Sequence, residues 1–403
     1  MSRIGLLLFV AFALHGQESL SINQAVKTAL ASHPLLVGAD GRVESAAGQR
    51  RQAGLTPNPR LVVQSENLRS YETTRLWDAM DQYAYLQQTI ETAGRRQRRV
   101  EVAESGMRRA ELEKELLRRQ IAARVRQSYW SAAGARRLYE LLVENQRTFR
   151  LIVEYHEIRV REGAMAEGDL LRVRLEAERI ALAANGALLD ARRAGIQLFR
   201  EMGQTQFPEV QFADPVEIPE DKPPIADAGH AVSQRVEVQL ARQILQQSRS
   251  SLSLQQALAK PNVEAVAGYK RTNGYDTLVG GVQFDLPFQN RNQGNIAAAT
   301  AEIRVAESTI AATEALVRSE VEAAQADTLM RRRQVYEMLG RLRQQAEETA
   351  RIAQGAYRLG GADLLRLLDA ERLRIDTELL SIRAWIEYRQ SLVALETAMG
   401  VEP

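Results

Sequence analysis

Apolar positions along this chain change period several times, and each change marks an element. From Ser21 to Ser32 they recur at helical spacing, with Ser21 or Asn23 as candidate caps and His33-Pro34 as the stop. A second helix is expected over about Leu35–Gly54. After Pro57-Asn58-Pro59 the period drops to two, so 60–68 and 82–90 predict strands, joined by a polar loop over Arg69–Asp81. From Ala93 to about Glu162 no proline intervenes. At about 1.5 Å per residue such a helix approaches ~100 Å, and that length demands lateral packing against other long helices. A turn at Gly163–Gly168 and a return helix to Met202 complete a hairpin over 93–202.

The pattern then starts again. A helix over about Ala226–Ala259, strands at about 263–270 and 276–286, and a second long hairpin over 290–400 follow in the same order. A shift of 197 residues lays Arg161 on Arg358, Gly163 on Gly360, Leu170-Leu171 on Leu367-Leu368 and Met202-Gly203 on Met399-Gly400. The chain therefore reads as an internal duplication. Its expected parts are an export signal at 1–16, a first repeat at 17–203, a Pro-rich linker at 204–225 and a second repeat at 226–403. The linker holds five of the eleven prolines. Between Ala297 and Ala326, 11 of 30 residues are alanine, which allows close helix approach, though high helix propensity alone would also select it.

The second strand pair sets Val263, Ala265, Ala267 and Tyr269 against Glu264, Val266, Gly268 and Lys270, and then Leu278, Val282, Phe284 and Leu286 against Thr277, Gln283 and Asp285. Strands of about ten residues with one apolar face suit a barrel wall between lipid and water. An ordinary half-buried sheet has the same pattern. If the strands do lie in a membrane, four cannot close a barrel, and open edges in lipid leave backbone groups unpaired. Several copies must then share one barrel.

Composition narrows the function. The 53 basic and 51 acidic residues interleave to a net charge of +2, which argues against nucleic-acid binding by a basic stripe. No cysteine is present, which excludes disulfides, thiolate chemistry and lipidation at an N-terminal cysteine. Arg3, the apolar Ile4–Leu14 and Leu14-His15-Gly16 read as the export signal, and 11 apolar residues are too few to span a bilayer. His33, His156 and His230 lack metal-ligand spacing and read as structural or surface residues. No nucleophile–base set, phosphate loop or dinucleotide fingerprint stands out.

Two stretches carry a family resemblance. Thr89-Ile90-Glu91-Thr92-Ala93-Gly94-Arg95-Arg96, with Arg99, and Asp285-Leu286-Pro287-Phe288-Gln289-Asn290-Arg291-Asn292-Gln293-Gly294 resemble the strand-to-helix junctions of the TolC family of outer-membrane efflux proteins. The second is most like the cobalt–zinc–cadmium resistance branch. The fold implied is mainly α with a small membrane β-barrel: a homotrimer whose protomers pool strands in outer-membrane lipid and helices in a periplasmic tunnel. The implied function is passive conduction, of divalent heavy-metal cations in this branch, with no bond broken, so that neither catalytic residues nor a cofactor is expected. The implied partners are a periplasmic adaptor and an inner-membrane pump of the RND type. The barrel alone would hold this cysteine-free chain in the membrane.

The resemblance also implies sites. The family closes its periplasmic aperture just after the helical turn, with a tyrosine, a glycine three residues on, and acidic positions six and nine residues after that glycine. Tyr357, Gly360 and Asp369 match, whereas Arg366 departs from the pattern. The first repeat places Asp169 and Arg172 at the same two positions, in the opposite order. A three-residue step puts each pair on one helix face. The expectation is a constriction of Asp169, Arg172, Arg366 and Asp369, held partly by inter-helix ion pairs; the alternative is four solvated helix charges. The tips around Gly163, Tyr357, Gly360 and Gly361 are the expected adaptor contacts, although such glycines also serve left-handed backbone geometry. A multidrug or type I secretion duct of the same fold is one alternative. A soluble periplasmic adaptor or coiled-coil scaffold is another, but one hairpin flanked by compact β domains would then be expected.

Overall fold

The computed structural model describes residues 19–67, 80–218 and 222–401. The expected export segment and most of the loop between the first two strands lie outside these residues. The elements are β1 (Ser19–Leu20), α1 (Ile22–Ser32), α2 (Pro34–Ala53), β2 (Arg60–Glu66), β3 (Asp81–Ile90), α3 (Arg95–Arg161), α4 (Glu167–Glu201) and β4 (Gln211–Phe212). After them come α5 (Ala228–Gln234), α6 (Val236–Leu258), β5 (Val263–Thr272), β6 (Tyr275–Phe284), α7 (Gln293–Arg333), a π-helical turn (Gln334–Leu339), α8 (Gly340–Arg358) and α9 (Leu364–Met399). Helix, strand pair, long helix and return helix thus occur twice in the same order.

Local chemistry sets most of the ends. Ser21 caps α1 in a reciprocal box: its hydroxyl accepts from the Gln24 amide, and the Gln24 side chain accepts from the Ser21 amide at 2.9 Å. Pro34, which stops α1, also opens α2, because the first helical position needs no amide donor. All four long arms stop in one way. Gly163, Gly203, Gly360 and Gly400 have φ between 72° and 75°. The amide after Gly163 reaches Arg159 O at 2.9 Å, and the amide after Gly360 reaches Ala356 O at 2.8 Å, which closes the last turn. Gly361 lies outside the left-handed region, so backbone geometry does not require a glycine there.

Two interruptions depart from the sequence expectation. The helix expected from Ala226 is split at Arg235, whose backbone is extended (φ −67°, ψ 127°) while its guanidinium grips Glu237 through two 2.9 Å hydrogen bonds. The second long helix is not one uniform α-helix, because its π turn carries Tyr336 edge-on to Trp385 at 5.2 Å and to Tyr388 at 6.0 Å. Packing of three large rings selects the wider turn, and apolar spacing gives no sign of it.

The chain divides into two compact units, each drawing on both halves of the sequence. One comprises residues up to Leu36, Leu117–Ala231 and Ser319 onward. Its main core brings Ala25, Ala29, Ile121, Val125, Tyr129 and Leu198 together with the inter-repeat segment. That segment is more than a connector. β4 pairs in parallel with β1, Phe212 stacks edge-on to Tyr129 at 5.3 Å, and Val216 is buried. Asp214 accepts from the Tyr129 hydroxyl at 2.7 Å and from the Ile22 amide at 2.8 Å. Burial, then the Asp214 carboxylate, raise the Tyr129 pKa. Where α3 passes α9, a Cβ on Gly134 would lie 2.2 Å from the Ile386 side chain, so a larger residue there would displace Ile386.

The other unit comprises Val37–Leu116 and Val232–Arg318. Its strands form one antiparallel sheet in the order β2-β3-β5-β6, so β2 and β6 each keep an open edge within the chain. Arg99 ties this sheet to the helices by donating to Ala53 O at 2.9 Å, to Leu55 O at 3.0 Å and to Glu91. No helix among the described residues is long and apolar enough to cross a membrane.

Candidate functional site

Two surfaces, one in each unit, carry chemistry that the fold itself does not use. The first is the sheet. Its register puts Leu61, Val63, Leu86, Ile90, Tyr269, Leu278, Val282 and Phe284 on one face. All of them are exposed, Leu278 to 90% and Val282 to 67%. The opposite face is polar: Gln87 donates to Glu264, and the Lys270 ammonium lies 5.0 Å from the centre of the Tyr83 ring. The predicted alternation of β5 and β6 is therefore present, and β2 and β3 extend it across the sheet. An apolar face this broad, left open beside two free edges, is unstable in water and suited to hydrocarbon.

The second surface is the pair of hairpin tips. Asp169 and Arg172 lie in the first turns of α4 and pair with each other at 3.6 Å along their own helix. Arg366 and Asp369 sit at the equivalent place on α9, both exposed, and neither forms an ion pair among the described residues. The Arg366 amide is taken by Asp363, the N-cap of α9, at 2.9 Å. Within one chain the four charges therefore make no inter-helix pair. Tyr357 does not face solvent as a simple tip residue would. Its hydroxyl meets Nε2 of buried His156 at 2.9 Å, and His156 Nδ1 lies 2.7 Å from Ile152 O. In the neutral ring Nδ1–H donates to the carbonyl and Nε2 accepts from the phenol. Burial first, then the nearby Tyr155 and Asp169, push the Tyr357 hydroxyl above its usual range. The two hairpins are thus fastened to each other just behind their tips.

Below the tips, two buried glutamates reinforce that junction. Glu176, 5% exposed, falls in the apolar row Leu170, Val173, Ile180 of α4. Arg179 of the same helix reaches it at 2.5 Å and Arg372 of α9 at 2.6 Å. Burial raises its pKa, but the hydrogen bonds from Arg372 and Arg179 outweigh this and hold it below the usual carboxylate range. Glu371 accepts from Arg374 at 3.0 Å, and Arg374 also reaches Glu378 at 2.9 Å and Asn145 at 2.7 Å. The sequence reading missed this network. Its signal was present, since Glu176 and Glu371 each occupy an apolar register position.

His33, His156 and His230 stay apart in role. His33 is buried beside Gly203, and burial lowers its pKa; His156 is committed to Tyr357; His230 is itself exposed on α5. Among the described residues no three His, Asp or Glu side chains are placed to hold a metal ion.

Comparison with known proteins follows the same lines. Residues 25–204 match the family model described as outer membrane efflux protein. No curated protein sequence matches the chain. Among solved structures, the Campylobacter jejuni outer membrane channel CmeC is similar with a TM-score of 0.79 at 19% identity, covering 94% of this chain and 85% of that one. The Vibrio cholerae outer membrane protein VceC gives 0.75 at 21% identity, covering 94% and 96%. CusC, solved in the context of transmembrane channel formation, gives 0.79 at 17% identity, covering 94% and 92%. Proteins of this family are passive channels and not enzymes. Residues 25–204 are therefore similar to the outer membrane efflux protein family, and nearly the whole chain has the fold of the solved outer-membrane channels.

Proposed function

We propose that the chain is the exit duct of a tripartite efflux system, resident in the outer membrane with its helices in the periplasm. The carrying observation is the open sheet with one exposed apolar face and one polar face. Three copies pooling four strands each make twelve and leave no edge, with apolar faces toward lipid and polar faces toward the lumen. TolC-like outer-membrane channels are trimers that work with adaptor and inner-membrane pump partners. The two repeats, 17–203 and 226–403, give each protomer two hairpins for the tunnel. The tips around Gly163 and Gly360 are what a periplasmic adaptor meets first. Asp169, Arg172, Arg366 and Asp369 ring the aperture, with any inter-helix pairs formed between copies.

The cargo reading is divalent heavy metals, driven by an RND-type pump. The sequence from Asp285 to Gly294, which resembles the cobalt–zinc–cadmium branch, supports it. A conduit of this kind passes its cargo without a ligand cage, so the absence of a histidine cluster is no obstacle. The test is a susceptibility panel in a strain lacking the protein, with and without a plasmid copy, across zinc, cadmium, cobalt, nickel, copper and silver salts, dyes, bile salts and antibiotics. Sensitivity confined to metals and reversed by the plasmid is the expected result. Sensitivity to organic compounds alone would keep the duct and overturn the cargo.

A further inference from the structure

We propose that the cavity where the sheet passes into the helices binds the headgroup of a zwitterionic phospholipid, with the phosphate on Lys260 and Arg95 and the ammonium on Asp285. The proposal rests on the sheet being a membrane wall. The cavity measures about 480 Å³, within the ordinary range for a small-molecule site, and Arg95, Leu258, Lys260, Asp285, Leu286 and Phe288 line it.

Charges of both signs line this cavity. Lys260 and Asp285 both line this space, and neither side chain forms an ion pair among the described residues. Arg95 is pinned over the C-terminus of α6: Nε donates to Ala257 O at 3.4 Å, and Nη2 donates to Leu258 O at 3.1 Å and to Lys260 O. Its Nη1 makes no hydrogen bond among the described residues and is free for a phosphate oxygen. Opposite charges held apart around one cavity present two poles. A monoanion would leave Asp285 opposed to it; a zwitterion satisfies both ends.

The apolar lining separates a lipid from a soluble zwitterion. Leu286 and Phe288 are 62% and 75% exposed and follow Phe284, the last residue of β6, as part of the cavity lining. The charged groups lie at the end of the sheet where that face stops and the helices begin. That is the level at which headgroups meet water when the face lies in hydrocarbon. Acyl chains would run along Leu286 and Phe288 toward the sheet, with the headgroup in the cavity.

The test uses the full chain purified in detergent, with bound lipid measured by native mass spectrometry after incubation with phosphatidylethanolamine or phosphatidylglycerol. Phosphatidylethanolamine should be retained about tenfold more tightly, a difference of ~1.4 kcal/mol. Lys260→Glu should remove that retention. Asp285→Asn should bring phosphatidylethanolamine down to the level of phosphatidylglycerol. Both side chains are exposed, so an unchanged helical circular dichroism spectrum is expected for each variant. Free phosphoethanolamine should not compete; competition at equal concentration would overturn a lipid as occupant. Equal retention of the two lipids, or a preference that neither variant alters, would overturn the site. If salt alone releases the protein from membranes, the channel reading has failed; if detergent is needed and no lipid preference exists, only the headgroup site has failed.

Discussion

The hairpin unit and the sheet unit solve opposite problems with the same kinds of residue. In the hairpin unit Phe149, Val173, Ile180 and Ile375 are buried against one another in a core between helices, while Leu151, Leu175, Leu182 and Ile352 stay exposed. In the sheet unit Leu61, Val63, Leu86 and Val282 point outward with no partner in the chain. The first unit has a core closed within one chain. The second has an apolar face and two strand edges that nothing covers among the described residues. Under the proposed function, hydrocarbon covers that face and further copies cover the edges.

Mutations can break that comparison, and their effects should fall in order. Phe149→Ala removes a buried ring and should destabilise the hairpin unit by about 3–5 kcal/mol, read as a lower thermal midpoint by circular dichroism. Leu86→Arg places a charge at the middle of the apolar face and should cost about 2–4 kcal/mol of membrane insertion, leaving the helical signal intact. Protein should then move from the detergent-extracted to the salt-washed fraction. Full retention in the membrane would show that this face does not meet lipid.

Glu176→Gln weakens the link between α4 and α9 and should cost about 1–3 kcal/mol. The same group predicts an acid response. Its folded pKa lies below the unfolded value of about 4.3, so its stabilisation is present above that pH and is lost as pH falls through the folded value. The variant should therefore show a smaller drop in thermal midpoint than the parent between neutral pH and pH values below about 4. Identical pH profiles would remove Glu176 from the account. Smallest is the aperture. Exposed pairs contribute about 0–1 kcal/mol each, so Arg366→Ala and Asp369→Ala should leave stability unchanged and raise closed-state leak in planar bilayers. An unaltered leak would return the four charges to the solvated helix surface.

Much of this was legible in residue order. Proline breaks, glycine stops and the switch between periods two and 3.6 placed the elements, because each acts within a few residues of backbone. The alternation in β5 and β6 likewise foretold one apolar and one polar face. What escaped the reading depends on partners far along the chain. Tyr357 looked like a tip residue until His156, some two hundred positions earlier, met its hydroxyl. The inter-repeat segment looked like a linker until β4 paired with β1 and Asp214 reached Tyr129 and Ile22.

By itself, then, the sequence determined the twofold order of elements, the turns at Gly163 and Gly360, and the amphipathic strands, all consequences of local sterics and side-chain period. Only the tertiary structure decided that each compact unit draws on both halves of the sequence, that Glu176 and Glu371 are buried with arginine partners, and that a π turn accommodates the Tyr336, Trp385 and Tyr388 rings. It also decided that Lys260 and Asp285 share a cavity without pairing. These outcomes depend on close packing and charge pairing between segments distant in the chain, and no local rule of spacing carries that information.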